Sequence, residues 1–185
     1  YYPSRYNALL NDEQRAFCHS IYQFKQGDIH GIEFFKTCMN ALQLKKRPYH
    51  IMFMPCSNWI KYGQRFKRLD WYIGKHRQDL TSGLYDVDIC DARESLHEAK
   101  GGEKRILERN YLITGNIKGK EIIIIDDVLT TGQSVVDYKE EIERCGGKVV
   151  AAIFYGKTLS MPSMLLVQIH VWGNHIAHII ERMTK

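Results

Sequence analysis

Residues 122–134 read Ile122-Ile-Ile-Ile-Asp126-Asp127-Val-Leu-Thr130-Thr131-Gly132-Gln133-Ser134, and this stretch constrains the chain more than any other. Lys120–Asp126 is β-branched, continuous and apolar on both faces, the pattern of a strand buried in a parallel sheet. Gln133–Cys145 follows as a helix ended by Gly146-Gly147, and Lys148–Tyr155 is a second apolar strand. Strand, helix and strand joined this tightly require a parallel pair with a right-handed crossover. The chain is expected to be α/β, with a central, mainly parallel sheet flanked by helices.

Chemistry is expected on the same stretch. The strand delivers Asp126 and Asp127 at its C-terminal end, where open α/β sheets bind ligands. Thr130–Ser134 opens the helix, whose free N–H groups and dipole favour an anion. Gly132 lets the backbone approach that anion without a Cβ in the way, and Thr130, Thr131 and Ser134 add hydroxyl donors. Two carboxylates beside a phosphate cradle repel unless a neutral hydrogen-bonding group lies between. A ribose 5-phosphate meets that need, its hydroxyls donating to the acids and its phosphate seated in the turn. A nucleotide hydrolase would need GxxxxGK[ST]; Gly115-Asn-Ile-Lys-Gly119-Lys120-Glu121 has the wrong spacing, lacks Ser/Thr and precedes a strand. GxGxxG is absent as well. An ordinary polar turn explains Ile122–Ile125 but not Asp-Asp followed by Thr-Thr-Gly.

The remainder fits one domain of this kind. The chain has 185 residues, 44% hydrophobic and 25% charged, which excludes wholesale disorder. No apolar run approaches the ~20 residues of a membrane-spanning helix, and residues 1–15 lack a basic-then-apolar secretion signal. Cys18, Cys38, Cys56, Cys90 and Cys145 are scattered and never form CxxC. That argues against a zinc ribbon or disulfide framework and fits a reducing cytoplasm. A net charge of +5 suits an anionic small molecule. Asn11 is expected to cap a helix running through Gln26, with Phe17, Ile21 and Phe24 on one face. Gly31–Leu44 repeats the helical pattern, His50–Pro55 reads as a buried strand and Lys61–Lys75 as a basic helix. Tyr85–Cys90 reads as a strand and Asp91–Arg105 as a polar loop.

The run Ile-Ile-Asp126-Asp127-Val-Leu-Thr-Thr131-Gly132-Gln-Ser134 resembles the signature with which type I phosphoribosyltransferases bind 5-phosphoribosyl 1-pyrophosphate (PRPP). More widely, about Ile51 to Thr158 resembles the ComF/amidophosphoribosyltransferase-like branch. Met54-Pro55-Cys56-Ser57 is similar to that family's first active-site loop, which implies that the backbone of Pro55, Cys56 and Ser57 holds pyrophosphate. Arg65-Phe66 resembles the Arg-Gly-Phe of ComF-like proteins without its glycine. Asp91–Asn110, with Arg93, His97 and Arg105, takes the place of the mobile catalytic loop, and Tyr155-Gly156-Lys157-Thr158 resembles the strand end that closes the nucleotide pocket. The four-cysteine zinc module of ComF proteins is missing.

The resemblance implies a single phosphoribosyltransferase-like domain over 1–185. Its core, about 48–158, would hold five parallel strands, and the N-terminal helices or residues 159–185 would supply a variable hood. It implies transfer of phosphoribose between PRPP and a nitrogen acceptor, through an oxocarbenium-like transition state, with pyrophosphate leaving. Asp126 and Asp127 would hold the ribose hydroxyls, Thr130, Thr131, Gly132, Gln133 and Ser134 the 5-phosphate, and Arg93 and His97 would join the catalytic set. Mg²⁺ would ride on the substrate, touching at most Asp126 and Asp127, with no dedicated protein ligand set. A homodimer is one assembly open to the chain, and the sequence leaves the oligomeric state undecided. The alternative is a non-catalytic regulator sensing PRPP or a nucleotide, or a DNA-processing accessory.

Other constellations have plainer readings. His97 in a polar loop could touch pyrophosphate or move a proton, or simply be exposed. Arg93, Lys100, Lys104, Arg105 and Arg109 could close over a diphosphate or form a solvated face. Lys61, Arg65, Lys67 and Arg68 are the densest basic cluster, read as a solvated helix face ahead of a nucleic-acid contact. His170, His175 and His178 lack the carboxylate or cysteine that would complete a metal set, and Trp172 reads as core or subunit contact.

Overall fold

The computed structural model describes residues 11–42, 48–90 and 109–158. Helix α1 spans Asp12–Lys25 and α2 spans His30–Ala41. Strand β1 (Tyr49–Phe53) leads into α3 (Trp59–His76), followed by the short strands β2 (Leu80–Ser82), β3 (Val87–Ile89) and β4 (Tyr111–Ile113). Strand β5 (Glu121–Leu129), helix α4 (Gln133–Arg144) and β6 (Lys148–Lys157) complete the order. Asn11 caps α1 as its sequence position predicts: its side chain accepts from the Gln14 N–H, and the Gln14 side chain accepts from the Asn11 N–H.

Four parallel strands in the order β2-β1-β5-β6 form the central sheet, and β3 pairs antiparallel with β4 apart from it. The sheet expected from sequence is therefore present, with four parallel strands rather than five among the described residues. Its two faces follow from the pleat. Ile123 and Ile125 of β5 join Ile51 and Phe53 of β1 in a core shared with Phe24, Phe35, Phe66 and Ile73 from α1, α2 and α3. Ile122 and Ile124, with Met52, face the opposite way onto Tyr138 and Ile142 of α4. An apolar strand buried on both faces needs a helical layer on each side, and the chain supplies both.

Several boundaries differ from the sequence reading. Strand β5 runs past Asp126 to Leu129, because Val128 and Leu129 still pair with Gly156 and Lys157 of β6. The strand expected at Tyr85–Cys90 is only Val87–Ile89, and α2 ends at Ala41. Phe17, expected on the buried face of α1, is exposed; Cys18, Ile21 and Phe24 form that face. All five cysteines are unpaired. Among the described residues no helix is long and apolar enough to cross a membrane.

Candidate active site

The C-terminal ends of β1 and β5 lie side by side, since Phe53 pairs with Ile125 and the Met54 N–H donates to the Ile125 carbonyl at 2.9 Å. Parallel pairing thus sets two sequence-distant segments next to each other: the acid pair with its Thr-Thr-Gly turn, and the Pro55–Ser57 loop.

Asp126 and Asp127 are not free carboxylates. An Asp127 oxygen sits 2.7 Å from Nη1 of Arg65 on α3 and 3.6 Å from Nζ of Lys25 at the end of α1. Asp126 accepts from the Asp127 N–H at 2.7 Å and lies 3.7 Å from the same guanidinium nitrogen. Successive residues of a strand point to opposite faces, yet this backbone bond folds the Asp126 carboxylate toward its neighbour. Burial pushes the Asp126 carboxyl up to about 7, the Asp127 charge adds to the rise, and the Asp127 N–H, Arg65 and Lys25 pull against it. Asp127 makes the closer contact with the guanidinium, and Asp126 lies behind it. Arg65 and Lys25 were not read from sequence as partners of these acids. The sequence pattern puts Arg65 on a solvated basic face, whereas its side chain is only 17% exposed and turned inward.

Beyond the acids the chain enters an open turn. Gly132 takes φ +87° and stands at the N-cap of α4 with no side chain capping the helix from that position. The Gln133 N–H reaches the Thr131 hydroxyl at a long 3.4 Å, and the Gln133 side chain donates to Asp137 instead of turning toward the site. Thr130, Thr131 and Ser134 are exposed, so the turn keeps the shape of an anion cradle at a helix N-terminus. A Cβ built on Gly132 would meet only Leu129 at 3.7 Å; the restriction there is the positive φ, not crowding by the protein. Gly132→Val is expected to destabilise the fold by about 2 kcal/mol through that backbone strain, and to lower phosphate affinity at least tenfold by filling the open turn. Thermal melts and calorimetric titration with ribose 5-phosphate measure the two effects separately.

On the β1 side, Asn58 caps α3 by accepting from the Lys61 N–H, and Lys61 Nζ lies 3.4 Å from the Ser57 hydroxyl. Pro55 is half-buried and Ser57 exposed. Cys56 does not present its thiol: the residue is buried, and burial above all pushes its thiol up to about 11, so only its backbone can serve a ligand. Its carbonyl accepts from the Asn110 side chain at 2.7 Å, a contact the sequence did not suggest. Arg109, one of the cations expected over a diphosphate, instead pairs at 2.6 Å with the buried Glu141 of α4. Tyr155, expected near a nucleotide pocket, stacks on Phe24 of α1 at 5.1 Å and packs tilted against Phe34 of α2 at 4.3 Å. Arg93, His97, Lys100, Lys104, Arg105, Trp172 and the three C-terminal histidines lie outside the described residues.

Two resident cations already face the acid pair, and among the described residues no group of three or more His, Cys, Asp and Glu is placed to hold a metal ion.

The parallel sheet with helices on both faces is consistent with a type I phosphoribosyltransferase fold. Residues 78–159 match the family model for the phosphoribosyl transferase domain. An orotate phosphoribosyltransferase of Sulfolobus acidocaldarius is 42% identical over 57 residues, 30% of this chain and 26% of that protein. The transcriptional regulator GfcR of Methanocella arvoryzae is 30% identical over 98 residues, 53% of this chain and 38% of that protein. A second orotate phosphoribosyltransferase, from Methanopyrus kandleri, is 42% identical over 41 residues, 22% of each chain. The chain thus spans well under half the length of these curated relatives.

Proposed function

We propose that the protein binds PRPP or a phosphoribosyl nucleotide across the β1 and β5 strand ends and transfers phosphoribose to or from a nitrogen acceptor. The observation that carries this reading is the acid pair and an uncapped, glycine-opened helix start on one buried strand, beside the Pro55–Ser57 loop. The 5-phosphate would sit on the Thr130–Ser134 turn, the ribose hydroxyls would donate to Asp126, and pyrophosphate would lie against the Pro55–Ser57 backbone near Lys61. As the C1–oxygen bond to pyrophosphate breaks and the C1–nitrogen bond forms, positive charge develops at C1 and negative charge on the leaving group. Asp126 and Asp127 oppose the first charge. Mg²⁺ would enter on the substrate's pyrophosphate, and the acceptor-selecting hood would come from the N-terminal helices or residues 159–185. Within the class, the ComF/amidophosphoribosyltransferase branch rests on Met54–Ser57 and Arg65-Phe66.

The test uses Asp126→Asn. The amide keeps the shape and replaces a carboxyl that is already half protonated near neutral pH, so the fold should be unchanged at pH 7 or below. Loss of one charge-assisted hydrogen bond should weaken ribose 5-phosphate and PRPP binding by roughly 1.5–2 kcal/mol, about 10–30-fold. Because donating hydroxyls favour the ionised acid, wild-type affinity should rise with pH through about 7. The ligand phosphate also titrates near pH 6, and Asp126→Asn, retaining only that component, separates the two. Calorimetry showing equal affinity in parent and variant would remove the ribose clamp. A second reading is a sensor that binds the same ligand without turnover; relatives named as transcriptional regulators support it. Radiolabelled-PRPP exchange across nucleobases separates the readings: turnover establishes the enzyme, and tight binding with no turnover establishes the sensor.

A further inference from the structure

The face of α3 turned away from the acid pair is built differently. Two rows of residues spaced by four run along it, Trp59-Gly63-Lys67-Trp71 and Ile60-Gln64-Arg68. They floor a groove of about 830 Å³ whose rims are the Gln26–Ile32 stretch after α1 and the Leu84-Tyr85 turn before β3. Five of the ten large apolar side chains exposed among the described residues gather here: Ile29, Trp59, Ile60, Trp71 and Tyr85. Ile60 is 78% exposed. Scattered apolar residues are ordinary on a surface, but a concentration in one groove marks a contact site.

Three features select the occupant. Ile29 and Ile60 offer neither a stacking face nor a hydrogen bond, so they suit apolar side chains better than nucleic-acid bases. The charged residues lining the groove are Lys67 and Arg68, both cationic, so the complement is acidic. Gly63 lies within an 18-residue helix, where glycine costs about 1 kcal/mol relative to alanine, and a Cβ there would meet nothing within 4 Å. That open spot permits the close backbone approach of a second helix. Trp59 and Trp71 stand about 18 Å apart along α3, three turns of a helix lying alongside.

We propose that this groove docks an amphipathic helix of a partner protein, with bulky apolar residues at i, i+4 and i+7 and acidic residues beside them for Lys67 and Arg68. The mode is helix-in-groove, with Trp59 and Trp71 as anchors.

The test selects 16-residue peptides from a phage-displayed random library on the full chain, and measures the enriched peptides by fluorescence anisotropy and circular dichroism. Enriched peptides should be net acidic with helical apolar spacing, and helical when bound. Lys67→Glu with Arg68→Glu should weaken them at least 30-fold. Gly63→Leu should weaken them at least tenfold while leaving the melting temperature equal or higher, because leucine improves helix propensity; lost folding therefore cannot mimic lost docking. Ribose 5-phosphate affinity should be unchanged in both variants. The proposal is overturned by failure to enrich any peptide, by neutral or basic peptides, or by peptides indifferent to Gly63→Leu. It is equally overturned if a twelve-residue oligothymidylate binds with the same sensitivity to these variants, or if sedimentation shows self-association that Gly63→Leu abolishes.

Discussion

Arg65→Met should destabilise the fold by about 3 kcal/mol at pH 8 and by much less at pH 4. The methionine keeps an apolar stem and removes the guanidinium, whose carbon lies 5.7 Å from the Phe66 ring. What it leaves behind is a buried carboxylate pair whose principal counter-cation is gone, with Lys25 alone at 3.6 Å. The sign follows from Asp126. Its folded value is raised to about 7 from an ordinary 3.8, so the group contributes stability below about pH 4 that is lost as pH rises toward 7. Deleting Arg65 strengthens that tendency, and the penalty should grow across the same window. Urea denaturation at several pH values measures it, and Arg65→Lys should recover part of the loss at pH 8. A penalty that is the same at pH 4 and pH 8 would mean that Arg65 acts through packing and not through the acids.

Gly27→Ala should cost about 3 kcal/mol, a larger effect than any surface substitution nearby. Gly27 follows α1 with φ +74°, and a Cβ there would clash with the backbone carbonyl oxygen of Gln64 in α3. A backbone atom in mid-helix cannot move aside, so α1 must shift. The neighbouring bond from the Gln64 side chain to the Gln26 side chain, 2.6 Å long, would go with it. Lys25 lies two residues earlier, so the shift should also pull its ammonium from Asp127 and alter ribose 5-phosphate affinity. Gly119→Ala is the control: it shares φ +74° but has nothing within 4 Å, so it should show only the backbone strain of about 1 kcal/mol. Equal losses in the two variants would show that the close approach of α1 and α3 contributes nothing.

The central strands were legible because they are buried on both faces. Ile122–Ile125 and Ile51–Phe53 are apolar without interruption, and turn chemistry marks where β5 gives way to α4. Strands β2 and β4 have three residues each, too few for any period to emerge. Asp126 and Asp127 were visible as an unusual pair, but their counter-cations were not, since Arg65 and Lys25 reach them only through tertiary packing. A signal for Arg65 did exist. Tyr62, Phe66, Leu69 and Ile73 form the buried stripe of α3, and Arg65 lies about 60° from Tyr62 around the helix, at the stripe's edge. Lys61 and Arg68 lie farther round. A cation on the boundary of a buried stripe is placed to reach an interior acid, whereas cations beyond it belong to the outer surface.

The strand order also shows that the stretch matched by similarity does not fold by itself. The segment that similarity traces as a phosphoribosyl transferase domain begins at residue 78, after β1 and α3. In the sheet, however, β1 stands between β2 and β5 and bonds to both. Excising residues 78–159 would therefore leave β2 and β5 about 10 Å apart with no strand between them, and would strip Ile51, Phe53 and Phe66 from the core beneath Ile123 and Ile125. The matched stretch and the folding unit in this chain are of different lengths, and the matched stretch is held in shape by residues outside it.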